Sequence, residues 1–189
     1  MNEEYFETIK CEDYKIFNLE FHQKRMAKTV GMNFNLGEYI YAPNAKLLKC
    51  KVVYNCEGII DISYSEYKKR EIKSFKLLYT DTIDYAKKST NREEINKLFE
   101  KRNKADEIII IKNGLVTDTS IANIAIFDGT SWITSNTPLL LGTTRDRLLK
   151  EGMIFEKEIT LDMLKNAKKM ALLNAMIDMD ILEDYSLFL

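Results

Sequence analysis

Gly142-Thr143-Thr144 leads into Arg145-Asp146-Arg147-Leu148-Leu149, a run with the composition of a short helix that Gly152 would stop. A helix start of this kind presents free backbone N–H groups, two hydroxyls and the positive end of the helix dipole, which together suit a phosphate. Ser and Thr also open helices simply to cap them, so these residues point to an anion site only in company. Two adjacent lysines, Lys87 and Lys88, stand just ahead of Thr90-Asn91-Arg92-Glu93, a capping-box pattern followed by Ile95, Leu98 and Phe99 at helical spacing. An amine here becomes a nucleophile only where burial or neighbouring positive charge disfavours the ammonium form. On residue types alone, both lysines are exposed side chains on a loop, because lysine is seldom buried.

Other chemistries are excluded by what the chain lacks. The single histidine, His22, cannot build a multi-histidine metal site, and any Ser/His/Asp hydrolase would have to use His22 itself. Cys11, Cys50 and Cys56 show no paired zinc spacing and read as reduced thiols of a cytosolic chain. With 28 Lys and Arg against 29 Asp and Glu, no global field steers the protein onto nucleic acid, so any anion site must be local. Met1-Asn2-Glu3-Glu4-Tyr5 has neither a basic n-region nor an apolar h-region, and no run approaches the length of a membrane span, so a cytoplasmic location is expected.

These groups must be positioned by a core, and 46% hydrophobic residues with only 7 Gly and 2 Pro among 189 supply one. The pattern predicts a helix from Leu19 toward Phe34, ending near Gly31 or Asn33. It predicts three antiparallel strands at 47–54, 59–67 and 72–79, and a capped helix from Thr90 to about Asn103. Asn113-Gly114 joins Glu107–Lys112 to Leu115–Thr117 as a hairpin, and Asp128-Gly129 joins 124–127 to 131–134 in the same way. After the short helix come a strand, a helix from about Leu161 and a last strand near 170–173. The result is a mixed α/β, or α+β, chain.

The order of motifs carries a resemblance. Lys88-Ser-Thr-Asn-Arg92, Ala105-Asp-Glu-Ile, Asn113-Gly114, Val116-Thr-Asp-Thr-Ser-Ile-Ala-Asn123, Thr137-Pro138 and Gly142-Thr-Thr-Arg-Asp146 together resemble the class IV aminotransferase and aminodeoxychorismate lyase family. Phe6-Glu-Thr-Ile9, His22-Gln-Lys-Arg25-Met26 and Leu172-Leu-Asn-Ala-Met176 look like further landmarks of that family, so the resemblance spans Tyr5 to Met176. It implies the fold of the type IV, D-amino acid aminotransferase-like enzymes, with a small N-terminal α/β domain at 1–86 and a larger cofactor-binding domain at 87–189 built on a sheet or barrel-like core.

The resemblance also implies pyridoxal 5'-phosphate as cofactor. Lys88 would carry it as an imine and shuttle the proton, with Lys87 as the rival. Asp118 would face the pyridine nitrogen where relatives more often have Glu; on residue type alone it is an aspartate ending a hairpin strand. Arg25 would bind the phosphate through its planar fork, together with Thr143 and Thr144. Asn174 and Ala175 would close over the same phosphate, although Leu173 stands where Thr or Ser is usual. His22 is assigned no role. The chain looks shortened between the first helix and Leu47, on the substrate side. By resemblance the activity is that of 4-amino-4-deoxychorismate lyase, releasing pyruvate and 4-aminobenzoate. The alternatives are a branched-chain or D-amino acid aminotransferase and a non-catalytic pyridoxal-phosphate-binding module. A small amino substrate and a homodimer are expected, with no nucleic acid and no membrane.

Overall fold

Tyr5-Phe-Glu-Thr-Ile-Lys-Cys-Glu12 alternates apolar and polar positions, with Phe6 and Glu7 as the exceptions. In the computed structural model, which describes residues 3–189, it forms strand β1 with every second residue buried. β1 belongs to a four-stranded antiparallel sheet in the order β2-β1-β3-β4, where β2 is Lys15–Ile16, β3 is Leu48–Asn55 and β4 is Gly58–Glu66. One face of the sheet packs Ile9, Cys50, Val52 and Tyr54 with Met26 of helix α1 (Leu19–Val30). α1 stops at Gly31, whose left-handed φ of 74° lets its N–H reach the Ala27 carbonyl, so the earlier of the two expected ends is the real one.

This first unit takes in Met1–Lys69 and Lys87–Asn91, rather than the continuous stretch 1–86. The reason is a strand edge that needs covering: Phe6 N–H donates to the Lys88 carbonyl at 2.9 Å, and Tyr5 bridges Ser89. The Thr90 hydroxyl, expected to cap a helix, donates instead to the Glu4 carbonyl at 3.2 Å. Helix α2 accordingly spans Glu93–Glu100, with Arg92 at its N-cap and no side-chain cap.

The second unit, Arg70–Ala86 with Arg92–Leu189, is built on a nine-stranded sheet. Strand β5 (Ser74–Tyr79) departs from the expected antiparallel trio. It pairs in parallel with β6 (Glu107–Lys112) and with β13 (Ser186–Phe188), an edge strand the sequence pattern did not reveal. The Asp106 carboxylate fixes the start of β5 by accepting from the Lys73 and Ser74 N–H groups and from the Ser74 hydroxyl.

β6 turns into β7 (Leu115–Thr119) through Asn113 and Gly114 at φ 51° and 76°, the left-handed pair that a two-residue hairpin requires. Strand β8 (Asn123–Phe127) pairs with β7, with β9 (Trp132–Ser135) and with β11 (Lys169–Asn174). Between them lie helix α3 (Thr143–Lys150), β10 (Phe155–Lys157) and α4 (Leu161–Asn166), and β12 (Asp178–Leu182) follows β11. β6 is buried on both faces. Ile109 and Ile111 join Phe75, Ile124, Ile126 and Leu172 in the larger core, while Ile108 and Ile110 meet Ile83, Ile95 and Leu139 on the other side. No helix among the described residues is long and apolar enough to cross a membrane.

Because Ile124 is fully buried in the strand that three others pair with, Ile124→Ala should lower unfolding stability by about 2–5 kcal/mol. Urea denaturation followed by circular dichroism measures this, and a loss below about 1 kcal/mol would show that the site collapses around the smaller side chain.

Candidate active site

In the first unit the functional side chains lie on β1, on α1 and on the returning segment that seals the β1 edge. Glu7 points into the buried face of β1, and its carboxylate accepts from Arg25 Nε at 2.8 Å and from Arg25 Nη2 at 2.5 Å. Its Oε2 also lies 2.6 Å from His22 Nδ1. Arg25 and His22 are three apart on α1, so one helical turn presents both to the same carboxylate. Burial alone would push the Glu7 carboxyl up, but the Arg25 charge and the His22 and Arg25 hydrogen bonds outweigh it and bring it down to about 2. His22 is held below its ordinary value, first by burial and then by the charges of Arg25 and Lys88, against the pull of Glu7. Glu7 thereby fixes two nitrogens of the guanidinium and sets its orientation.

Lys88 is half-buried with its Nζ 4.6 Å from the centre of the Phe6 ring. Lys87 is exposed, with Nζ 3.5 Å from the Tyr5 hydroxyl. Adjacent lysines on one bridging segment are thus separated by environment.

In the second unit the site residues converge on Asn123. Its Nδ2 donates to Asp118 Oδ1 at 2.7 Å and to the Leu140 carbonyl at 2.8 Å, and Leu140 N–H donates to Asp118 Oδ2 at 3.0 Å. Asn123 Oδ1 lies 2.0 Å from where a Cβ on Gly142 would stand, so only glycine fits there. Gly142 is the N-cap of α3, and the first helical bond runs from Asp146 N–H to the Gly142 carbonyl, which leaves the preceding amides directed off the helix end. Beside them the Thr144 hydroxyl is buried with no hydrogen-bond partner.

Asp118 lies where the β6–β7 register shifts, a bulge that redirects side chains locally. Its hydrogen-bond partners are neutral. Burial therefore dominates and raises its carboxyl from 3.8 to about 6, although the Leu140, Asn123 and Leu139 hydrogen bonds and the Arg145 charge work the other way. An orphaned buried hydroxyl at a helix N-terminus suits a phosphate oxygen, and a buried carboxylate held by neutral donors suits a protonated ring nitrogen.

The remaining predicted residues are placed differently. The Asn174 side chain is committed to the turn after β11: Oδ1 accepts from Met176 and Ile177 N–H at 2.9 and 3.1 Å, and Nδ2 donates to the Ile121 carbonyl at 3.3 Å. Ala175 follows in the same turn and has only backbone groups to offer. Three residues of the site, Glu7, His22 and Asn123, were not assigned roles from sequence. For Glu7 a signal existed, since a carboxylate interrupts the buried stripe Tyr5, Ile9, Cys11.

The mixed α/β architecture is that of the fold type IV enzymes. The Amino-transferase class IV family matches residues 65–181, and the chain belongs to that family. An uncharacterized protein of Haemophilus influenzae is 40% identical over 182 residues, covering 90% of this chain and 96% of that one. A crystal structure from Haemophilus somnus, named a "putative 4-amino-4-deoxychorismate lyase", is 30% identical with a TM-score of 0.84, covering 93% of this chain and 97% of that one. A Mycobacterium tuberculosis structure named a hypothetical aminotransferase in its PLP-bound form shares the fold at 14% identity, with a TM-score of 0.79 over 97% of this chain and 81% of that one.

Asp118 makes stability depend on pH in a defined direction. Its folded pKa is raised, so between pH 3.8 and about 6 the native state holds a proton that the unfolded chain has released. Stability falls as pH rises through that window and stays lower above it, by about 3 kcal/mol. Asp118→Asn removes the titration. In cofactor-free protein, the stability of the Asn variant relative to the natural chain should therefore rise by about that amount from pH 4 to pH 8. Urea titrations at both pH values measure the difference, and a constant difference would mean that Asp118 is solvated in the folded state.

Proposed function

We propose that this chain is a pyridoxal-phosphate-dependent enzyme acting on a small amino substrate, and that its reaction is that of 4-amino-4-deoxychorismate lyase. The observation that carries the cofactor reading is the joining, through Asn123, of a buried carboxylate to a helix end with an orphaned buried hydroxyl. The name of the Haemophilus somnus protein, similar over nearly its whole length, supports the lyase reaction. The PLP-bound Mycobacterium tuberculosis relative in fold supports the cofactor. A homodimer and a cytoplasmic location complete the reading.

When bound, pyridoxal phosphate supplies an electron sink conjugated to the substrate amine. Thr143, Thr144 and Arg25 would hold its phosphate, the last with an orientation that Glu7 has already set. Asp118 would hold the proton on the ring nitrogen, since a cationic partner offsets the cost of keeping this carboxylate charged when buried. Lys88 Nζ would move the proton at the substrate carbon that bears the amine.

Incubated with pyridoxal phosphate, the purified chain should develop a visible absorption band that borohydride bleaches, with the mass adduct on the peptide containing Lys88. Lys88→Ala should fold and lose the band, and Lys87→Ala should keep it. A colourless Lys87 variant beside a coloured Lys88 variant would move the assignment by one residue. With 4-amino-4-deoxychorismate the enzyme should release pyruvate and 4-aminobenzoate; amino transfer to a keto acid without pyruvate release would replace the lyase by an aminotransferase.

Arg25→Ala and Thr144→Val should each weaken cofactor binding, Arg25→Ala by at least tenfold, because it removes a charge-assisted contact. Fluorescence titration of each variant reads this, and unchanged affinity in both would sink the phosphate assignment.

A further inference from the structure

Arg92, at the N-cap of α2, and Glu107, at the start of β6, both reach the residue that follows β7. Arg92 Nη2 donates to the Ser120 carbonyl at 2.8 Å, and Ser120 N–H donates to Glu107 Oε1 at 3.4 Å. Glu107 is fully buried; its Oε1 also accepts from Ile108 N–H at 2.9 Å, and Arg70 Nη2 stands 3.5 Å from its Oε2. Arg92 is fixed at a second point, where its Nη1 donates to the Tyr85 hydroxyl at 3.2 Å. Arg92 closes one of the sequence motifs, Glu107 lies in a second and Ser120 in a third, so three motifs meet at one residue.

Ser120-Ile121-Ala122 is the turn between β7 and β8, and each of its backbone polar groups has a partner. Ile121 and Ala122 N–H donate to the Thr119 hydroxyl at 3.2 and 2.9 Å, and the Ala122 carbonyl accepts from Thr119 N–H at 2.9 Å. The Ile121 carbonyl accepts from Asn174 Nδ2 at 3.3 Å. Thr119 thus supplies the bonds that close the turn, a common use of a short hydroxyl side chain. Arg92 and Glu107 add a tie from the turn to α2 and β6. Among the described residues β7 and β8 pair at one position only, Asp118 opposite Asn123. With no longer ladder between these strands, the turn carries the alignment of Asp118 Oδ1 with Asn123 Nδ2, 2.7 Å apart.

Taking Asp118 as the partner of the ring nitrogen, as in the function proposed above, we infer that Arg92 and Glu107 are positioning residues of this site. They grip Ser120 from both sides, keep Asp118 in line with the Asn123 amide and hold the carboxylate closed to water. Hydrogen bonds to ionised groups are stronger than those between neutral ones, which suits these two side chains to fixing a backbone. A displacement of about 1 Å at a reacting group can lower a rate about a hundredfold, so a turn held this firmly serves the reaction as well as the fold.

Carboxyl-carbon NMR of the cofactor-free full chain, carrying isotope-labelled aspartate, reads the enclosure directly, with the Asp118 signal identified by its absence from Asp118→Asn. In the natural chain the signal should titrate at about 6, and Arg145, the charge that acts on Asp118 from α3, stays in every other variant. Arg92→Met and Glu107→Leu each remove one grip. Each should lower the midpoint by half a pH unit or more, because the loosened turn admits water and burial is the largest cause of the raised value. Arg92→Lys, which still donates to the Ser120 carbonyl, and Glu107→Gln, whose Oε1 still accepts, should recover most of that loss. Arg102→Met removes an arginine that bonds the Phe99 carbonyl instead and should change nothing. In the loaded enzyme, Arg92→Met should lower kcat at least tenfold with KM within twofold and the visible band intact. A midpoint that does not fall in Arg92→Met, or one near 3.8 in the natural chain, overturns the proposal. Arg92 is half-buried, so its variant decides the matter where Glu107→Leu fails to fold. If the natural chain takes up no pyridoxal phosphate, the cofactor reading fails separately, and the midpoints still decide whether Arg92 and Glu107 hold Asp118 in place.

Discussion

The second unit depends on one buried amide. Asn123 donates to Asp118 and to the Leu140 carbonyl, and its own oxygen fills the space a side chain on Gly142 would need. A carboxylate buried to this degree is tolerable only if its oxygens are satisfied. One of its partners, the Leu140 N–H, belongs to the loop leading into α3, and another, Asn123, holds that loop through the Leu140 carbonyl. The position of the helix end and the orientation of the carboxylate are consequently one structural fact.

The first unit solves a related problem with opposite charges. Glu7 lies in a face otherwise lined by Tyr5, Ile9 and Cys11, and it is stable there because Arg25 and His22 arrive together on one turn of α1. The arrangement is neutral as a whole if His22 stays uncharged, as its burial favours. Lys88 adds positive charge nearby, on a segment held to β1 by backbone pairing.

Local chemistry was legible wherever a residue type answers a local demand. Asn113-Gly114 gave away its hairpin because only such residues take left-handed φ cheaply, and Gly31 marked the end of α1 for the same reason. Where a distant group competes, sequence misleads. Thr90 has the right spacing for a capping box, but its hydroxyl is taken by the Glu4 carbonyl, 86 positions away. β5 looks like the third strand of a meander, and nothing within it says that its partner is β6. β12 and β13 escaped notice because β12 holds a single β-branched residue, Ile181, and β13 is only three residues long. Lys88, Asp118, Arg25 and the two threonines were found by resemblance of motifs, whereas Glu7 and Asn123 become visible only when their neighbours are known.

The return of Lys87–Asn91 to the first unit makes that unit discontinuous in the chain. A fragment cut at Lys69 would keep all four strands and α1 but would leave the Phe6 N–H and the adjacent backbone of β1 without the Lys88 and Ser89 partners. An uncovered strand edge of this kind is a template for pairing with another chain. The two units are therefore unsuited to independent genetic exchange at a single crossover point. Insertions and domain grafts that respect the linear boundary at Lys69 would yield a sticky first half, and the lysine with its flanking segment must travel with β1.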